Sequence, residues 1–182
     1  YPFWKHSFNL EHLEKNREYI VMYRHPYLWI NSLKKANYDI KFDSIDTNVI
    51  FKLYRNVETE ITEDFDLPFN NLVEIWNMYY NFYIDLLEKH NFNLIFIDYC
   101  KLVGDNNYEY VNNQCGNINI NIDETTFYNT LNTPAKKHGN PNDKKKAIYK
   151  CLNNAKLLDD YEKNIVKKYI DKRLVDYFNI KL

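Results

Sequence analysis

Arg24 and Ser32 are the residues whose types and spacing first suggest chemistry. Arg24 follows residues 19–23, a short apolar run that reads as a buried strand. Pro26 comes two residues after it and Ser32 eight residues after it, within the stretch YIVMYRHPYLWINS. This order sets a fixed positive charge at the carboxyl end of a strand and a hydroxyl about two turns into the helix that follows. In open α/β sheets ligands bind at that end of the strands. A guanidinium grips phosphate with two parallel, charge-assisted hydrogen bonds. The pattern therefore reads as part of an anion site.

A second basic feature is the run Lys136, Lys137, His138, followed by Lys144, Lys145 and Lys146. A run of this kind suits phosphate, a polyanionic acceptor or nucleic acid, and by itself usually marks a solvated surface. The acidic stretch Glu58, Glu60, Glu63, Asp64 and Asp66 reads most simply as a solvated face. Cys100, Cys115 and Cys151 form no CxxC pair, and their odd number fits reduced thiols better than a disulfide framework. On that basis the chain leans weakly towards a cytoplasmic location. His12, His25 and His90 carry no spacing that points to chemistry.

The elements that must position these groups follow from pattern and size. At 182 residues the chain is expected to form a single domain, and 45% apolar content argues against global disorder. A formal net charge of -1 argues against a protein built to neutralise nucleic-acid backbone, so no nucleic-acid partner is expected. No apolar run reaches membrane-spanning length. The Tyr, Asn, Lys and Ile bias reads as AT-rich coding, which weakens any base-stacking argument from interleaved Tyr and Asn. Pro26 suits the first turn of a helix, carried on by Tyr27, Ile30 and Leu33 and fading by Asn37. After Pro68, Leu72, Trp76, Tyr79, Tyr83 and Leu86 keep a helical stripe up to about His90, where Asn91 and Asn93 break it. Residues 94–98, LIFID, are the second buried-strand candidate, with a turn at Gly104-Asp105. Residues 106–142 read as mostly loop, with a short helix near 124–131. Tyr161, Ile165 and Tyr169 mark the buried face expected of a final helix. Strand, helix, helix, strand suggests a parallel sheet with crossover helices.

In combination, the apolar strand, Arg24, Pro26 and Ser32 resemble the 3′-phosphate-binding segment of the sulfotransferase family. Three further stretches agree in order. WKHSF at residues 4–8 is similar to the segment where many sulfotransferases carry a catalytic His, and His6 is the matching residue. IWNMYYNFY followed by NLIFIDYCKLVGD resembles the family's Trp-bearing helix and a strand ending in Tyr-Glu-Asp-Leu. Tyr99 and Leu102 match that sequence, while Cys100 and Lys101 replace its Glu and Asp. KKHGNPNDKKKAIY resembles the basic loop that closes over the donor's 3′-phosphate, with Lys137, His138 and Gly139 as the matching residues.

The resemblance implies a three-layer α/β/α P-loop-type fold with a parallel sheet. It implies transfer of a sulfonate group from 3′-phosphoadenosine 5′-phosphosulfate (PAPS) to an acceptor hydroxyl or amine, with no metal. Arg24, Ser32, Tyr99, Lys137, His138 and Gly139 would bind the donor and His6 would serve as general base. A neutral imidazole with a pKa near ~6.5 accepts a proton at physiological pH; the plain alternative is that His6 packs in an aromatic cluster with Phe3 and Trp4. The acceptor stays open among saccharide, lipid, small phenol and protein tyrosine. One departure is large. The family's Gly- and Ser/Thr-rich 5′-phosphosulfate loop has no counterpart, since Gly104, Gly116 and Gly139 lie in no such context. The expectation is a sheet without its first β-α unit, from an incomplete amino terminus. Two alternatives stand beside the enzyme: a catalytically inactive remnant or binding module, and a P-loop nucleotide kinase-like phosphotransferase with Asp98 as its strand-end carboxylate for Mg²⁺.

Overall fold

The computed structural model describes residues 13–34, 71–132 and 142–182. His6, Lys137, His138, Gly139 and the acidic stretch 58–66 lie outside the described residues. The described chain is mixed α/β and mostly helical, with a small parallel sheet. It groups into two units, each assembled from separated segments. The first contains residues 13–14, 25–34, 71–84 and 155–182, and the second residues 15–24, 85–132 and 142–154.

In the first unit, helix α1 (Pro26–Lys34) begins where Pro26 predicts. His25 caps it: its Nδ1 accepts from the Tyr27 N–H at 3.2 Å and its carbonyl accepts from the Trp29 N–H at 3.0 Å. With Nδ1 acting as acceptor, Nε2 carries the proton and donates to the Lys181 carbonyl at 3.0 Å. Helix α2 (Leu72–Glu88), which lies in this unit up to Ile84, is the long helix expected after Pro68. Asn71 caps its start by accepting from the Val73 and Glu74 N–H groups, at 3.0 and 3.1 Å. Leu72, Val73, Ile75 and Trp76 are almost completely buried. Trp76, Tyr80 and Phe178 form an aromatic cluster, the Tyr80 and Phe178 centroids 5.5 Å apart and edge-on.

The carboxyl-terminal part of this unit differs from the expectation of one helix buried through Tyr161, Ile165 and Tyr169. There are two helices. Helix α7 (Asp160–Tyr169) opens with a capping box between Asp159 and Glu162, and α8 (Lys172–Tyr177) is capped by Asp171. Asn77 holds the break between them, donating to the Tyr169 carbonyl at 2.7 Å and accepting from the Asp171 N–H at 3.0 Å. The buried residues are Glu162, Val166, Leu174 and Phe178, whereas Tyr161 is 58% exposed. The predicted stripe is one residue out of phase, and one residue turns a helix by about 100°. The start set by Asp159 puts Glu162 on the inner face, where the Lys34 ammonium pairs with it.

In the second unit, β1 (Glu18–Tyr23) and β2 (Asn93–Asp98) run parallel, as the element order predicts. β1 is not doubly covered: Ile20 is 54% and Met22 48% exposed. The cause is that β1 turns one face towards solvent, while Leu94, Ile95 and Ile97 of β2 are buried. Four helices follow: α3 (Tyr99–Val103), α4 (Asn107–Gly116), α5 (Glu124–Asn132) and α6 (Asn142–Leu152). The α4 helix replaces the loop expected after residue 106, and α5 matches the predicted short helix. Val111 and Cys115, one helical turn apart on α4, pack with Ile95, Ile97 and Ile118. Asn91, Asn106 and Asn119 take left-handed backbone, at φ of 53°, 54° and 57°. Asn tolerates that region through local hydrogen bonding, so this glycine-poor chain turns on asparagine.

The expectation of reduced thiols is overturned. Cys100 and Cys151 form a disulfide, with Cα atoms 5.5 Å apart across 51 residues of sequence. A pair that distant leaves no local motif, which is why spacing did not show it. Cys115 stays free and buried, and desolvation pushes its thiol above the ordinary range. The disulfide removes the ground for the cytoplasmic lean, since such bonds persist in oxidising surroundings.

Candidate functional site

The site begins with strand register. Tyr23 and Asp98 are Cα partners at the carboxyl ends of β1 and β2. Parallel strands in that register release the next residue of each, Arg24 and Tyr99, side by side. The Arg24 guanidinium carbon lies 4.2 Å from the centroid of the Tyr99 ring. That is within the range of a cation–π contact, which holds the charge over the ring face. Both side chains are half-buried. Two residues matched separately from the sequence, 75 positions apart, thus meet.

Asp98 organises the same corner. The Tyr23 hydroxyl donates to its Oδ2 at 3.2 Å, and the Cys100 N–H donates to its Oδ1 at 2.8 Å, capping α3. The Asp98 N–H in turn donates to the Tyr110 hydroxyl at 2.9 Å. Burial pushes the Tyr110 phenol above its ordinary value, the Asp98 backbone donor pulls it back, and the negative charge of Asp98 adds to the rise. Both Asp98 oxygens thus serve the fold. This weakens the kinase-like alternative, which needs that carboxylate for Mg²⁺.

Lys101 and Tyr110 extend the corner, and neither is among the site residues expected from the sequence. The Lys101 ammonium lies 5.0 Å from the Tyr110 ring centroid. In the sequence Lys101 reads only as a departure from the Tyr-Glu-Asp-Leu pattern. The signal that could have found it is its place two residues after Tyr99, beyond the strand end. The corner thus carries two cations on two aromatic rings.

Ser32 lies on α1 with its side chain exposed, in the first unit, whereas Arg24 belongs to the second. Their pairing rests on sequence spacing. His25, between them, is a capping residue, in keeping with its plain sequence reading. Among the described residues no group of three or more His, Cys, Asp or Glu side chains is arranged to hold a metal ion. Among them, too, no helix is long and apolar enough to cross a membrane. Comparison with known proteins adds no family: no family model, no curated protein and no solved structure matches this chain.

Proposed function

We propose that the chain is a sulfotransferase, a three-layer P-loop-type protein that transfers a sulfonate group from 3′-phosphoadenosine 5′-phosphosulfate to an acceptor hydroxyl or amine. The observation that carries the reading is the Arg24–Tyr99 contact at the carboxyl ends of the parallel strands. In this reading Arg24 grips the 3′-phosphate through its fork, and Ser32 is assigned to donor binding by its sequence spacing alone. Tyr99 holds the guanidinium plane in place. His6 takes the proton from the acceptor oxygen or nitrogen as that atom attacks sulfur. The basic segment around Lys137, His138 and Gly139 adds positive charge and backbone donors to the same phosphate.

Calorimetry with 3′-phosphoadenosine 5′-phosphate and with AMP tests the reading, because the two differ only by the phosphate that Arg24 would hold. The bisphosphate should bind at least about tenfold more tightly, the effect of one charge-assisted contact. Equal affinities would end the proposal.

A second reading, a nucleotide-binding module without turnover, is favoured by one sequence fact. Gly104, Gly116 and Gly139 are isolated, so these residues contain no loop suited to wrapping a 5′-phosphosulfate. Bisphosphate binding with no sulfonate transfer to a panel of phenol, saccharide and amine acceptors would select it.

A further inference from the structure

We propose that the Cys100–Cys151 disulfide is a redox-sensitive clamp that docks α6 on α3 and thereby holds Tyr99 against Arg24. Its effect on nucleotide binding rests on the functional reading above; the clamp itself does not.

Among the described residues, little besides α3 holds the end of α6. Helix α3 has five residues, too few to persist on their own. It carries Tyr99 as its first residue and Cys100 as its second. Its supports are the Asp98 cap, the Gly104 N–H on the Cys100 carbonyl at 3.1 Å, the Asn107 side chain on the Leu102 carbonyl at 3.0 Å, and, at its far end, Leu102 packed on the Ile95 and Val111 cluster beside the buried Val103; Tyr99 and Cys100, at its start, are only half-buried. Helix α6 is weaker still. From residue 147 to its end it has no buried side chain: Tyr149 is 62% and Leu152 80% exposed. Among the described elements of this unit its main packing partner is α3. With so little apolar burial over residues 147–152, the covalent bond from Cys151 is the principal anchor of that end of α6 on α3.

The position of Cys100 makes this consequential. Asp98, Tyr99 and Cys100 are consecutive and differently engaged: Asp98 by the Tyr23 hydroxyl, Tyr99 by the Arg24 guanidinium, Cys100 by the disulfide. Releasing Cys100 frees one end of the peptide that orients the Tyr99 ring. Both cysteines are half-buried, so a small dithiol reaches them. Reduction transfers two electrons from that dithiol, breaks the Sγ–Sγ bond and places one hydrogen on each cysteine sulfur. The reductant leaves as its own disulfide. Cys115 takes no part, being buried and with its thiol pushed up by desolvation.

The test compares the whole chain purified under oxidising conditions with the same chain treated with dithiothreitol, and with the Cys151→Ser variant. Peptide mass mapping without reductant should first show Cys100 joined to Cys151; three free thiols would overturn the proposal. Amide hydrogen exchange then reads the clamp. Residues 99–103 and 147–152 should exchange at least about tenfold faster after reduction and in Cys151→Ser, while α2 and α7 keep their rates. Unchanged exchange in α3 and α6 would overturn it. Binding of 3′-phosphoadenosine 5′-phosphate separates the two claims. Faster α3 exchange with an affinity drop of about fivefold or more supports the clamp and its role at the site. Faster α3 exchange with no nucleotide binding in either state supports the clamp and removes the functional reading alone.

Discussion

The Tyr23 hydroxyl reaches across from β1 to the carboxylate of Asp98 on β2 at 3.2 Å, between residues that are already partners in the strand register. The bond therefore locks the end of the sheet at the point where Arg24 and Tyr99 leave it. The backbone ladder fixes the register, and the side-chain bond fixes the direction of the carboxylate that caps α3.

Tyr23→Phe removes that bond and keeps the ring. Hydrogen bonds to charged acceptors contribute about 1.5–3 kcal/mol, and a half-buried example belongs at the lower end, about 1.5 kcal/mol. Urea unfolding should show that loss with an unchanged denaturant slope. A loss above about 3 kcal/mol would mean that Asp98 is left as an uncompensated buried charge instead.

Arg24 and Tyr99 should separate binding from stability. Arg24→Ala should weaken 3′-phosphoadenosine 5′-phosphate by roughly 1.5–3 kcal/mol, the size of a bidentate phosphate contact. Tyr99→Phe keeps the face beneath the guanidinium and should bind nearly as the parent does. Tyr99→Ala should lose about 0.5–2 kcal/mol of affinity because the fork is no longer held. Titration calorimetry with thermal melts checks all three. A large melting-temperature loss in Arg24→Ala with unchanged affinity would make Arg24 a structural residue.

His6→Ala tests the base assigned by resemblance. On a sequence that turns over, it should lower kcat by ~10²–10⁴ while donor binding stays near the parent value. The acidic limb of the pH–rate profile should disappear with the imidazole, since a titrating base near pH ~6.5 would create it. A retained acidic limb would assign the proton transfer to another group.

Much of this architecture was legible in the residues, and the gaps have physical causes. Strands at Tyr19 and Leu94 were readable because short apolar runs with aromatic and β-branched side chains favour extended chain. The α2 stripe was readable because five apolar residues keep helical spacing. Helix α4 was hidden because Asn and Tyr outnumber its two core residues, Val111 and Cys115. The Cys100–Cys151 bond joins residues that only the tertiary fold brings together. Of the site, the Arg24–Tyr99 pair was named residue by residue, yet its contact depends on a strand register that no single sequence prints. Lys101 escaped because a lysine past a strand end has no signature beyond its neighbours.

Alkaline pH should loosen the second unit through Tyr110. Burial holds the folded-state value above the ordinary 10.0. Above pH 10 the folded chain then keeps a proton that the unfolded chain gives up. Linkage makes stability fall there with rising pH: the contribution is complete below about pH 10 and is lost as pH rises through the folded value. Tyr27 and Tyr83, also pushed up by burial, act with the same sign. Tyr110→Phe should therefore flatten, without abolishing, the stability decline between about pH 9.5 and 11, and a slope identical to the parent's would remove Tyr110 from the account.

Tyr27→Phe should stabilise the protein. Tyr27 is 2% exposed, and its hydroxyl is buried with no hydrogen-bond partner among the described residues. Its ring packs edge-on against His25, with centroids 4.9 Å apart, and its backbone N–H already serves the helix cap. The ring and the N–H survive the substitution; only the orphan hydroxyl is lost. An unsatisfied buried polar group costs about 1–3 kcal/mol, and part of that returns as packing relaxes, so a gain of about 0.5–1 kcal/mol is expected. Desolvation also raises the Tyr27 phenol value, so the variant should lose a share of the parent's alkaline sensitivity. Thermal unfolding at pH 7 and at pH 10.5 reads both effects. A destabilisation of more than about 1 kcal/mol at pH 7 would show that the hydroxyl makes a hydrogen bond after all.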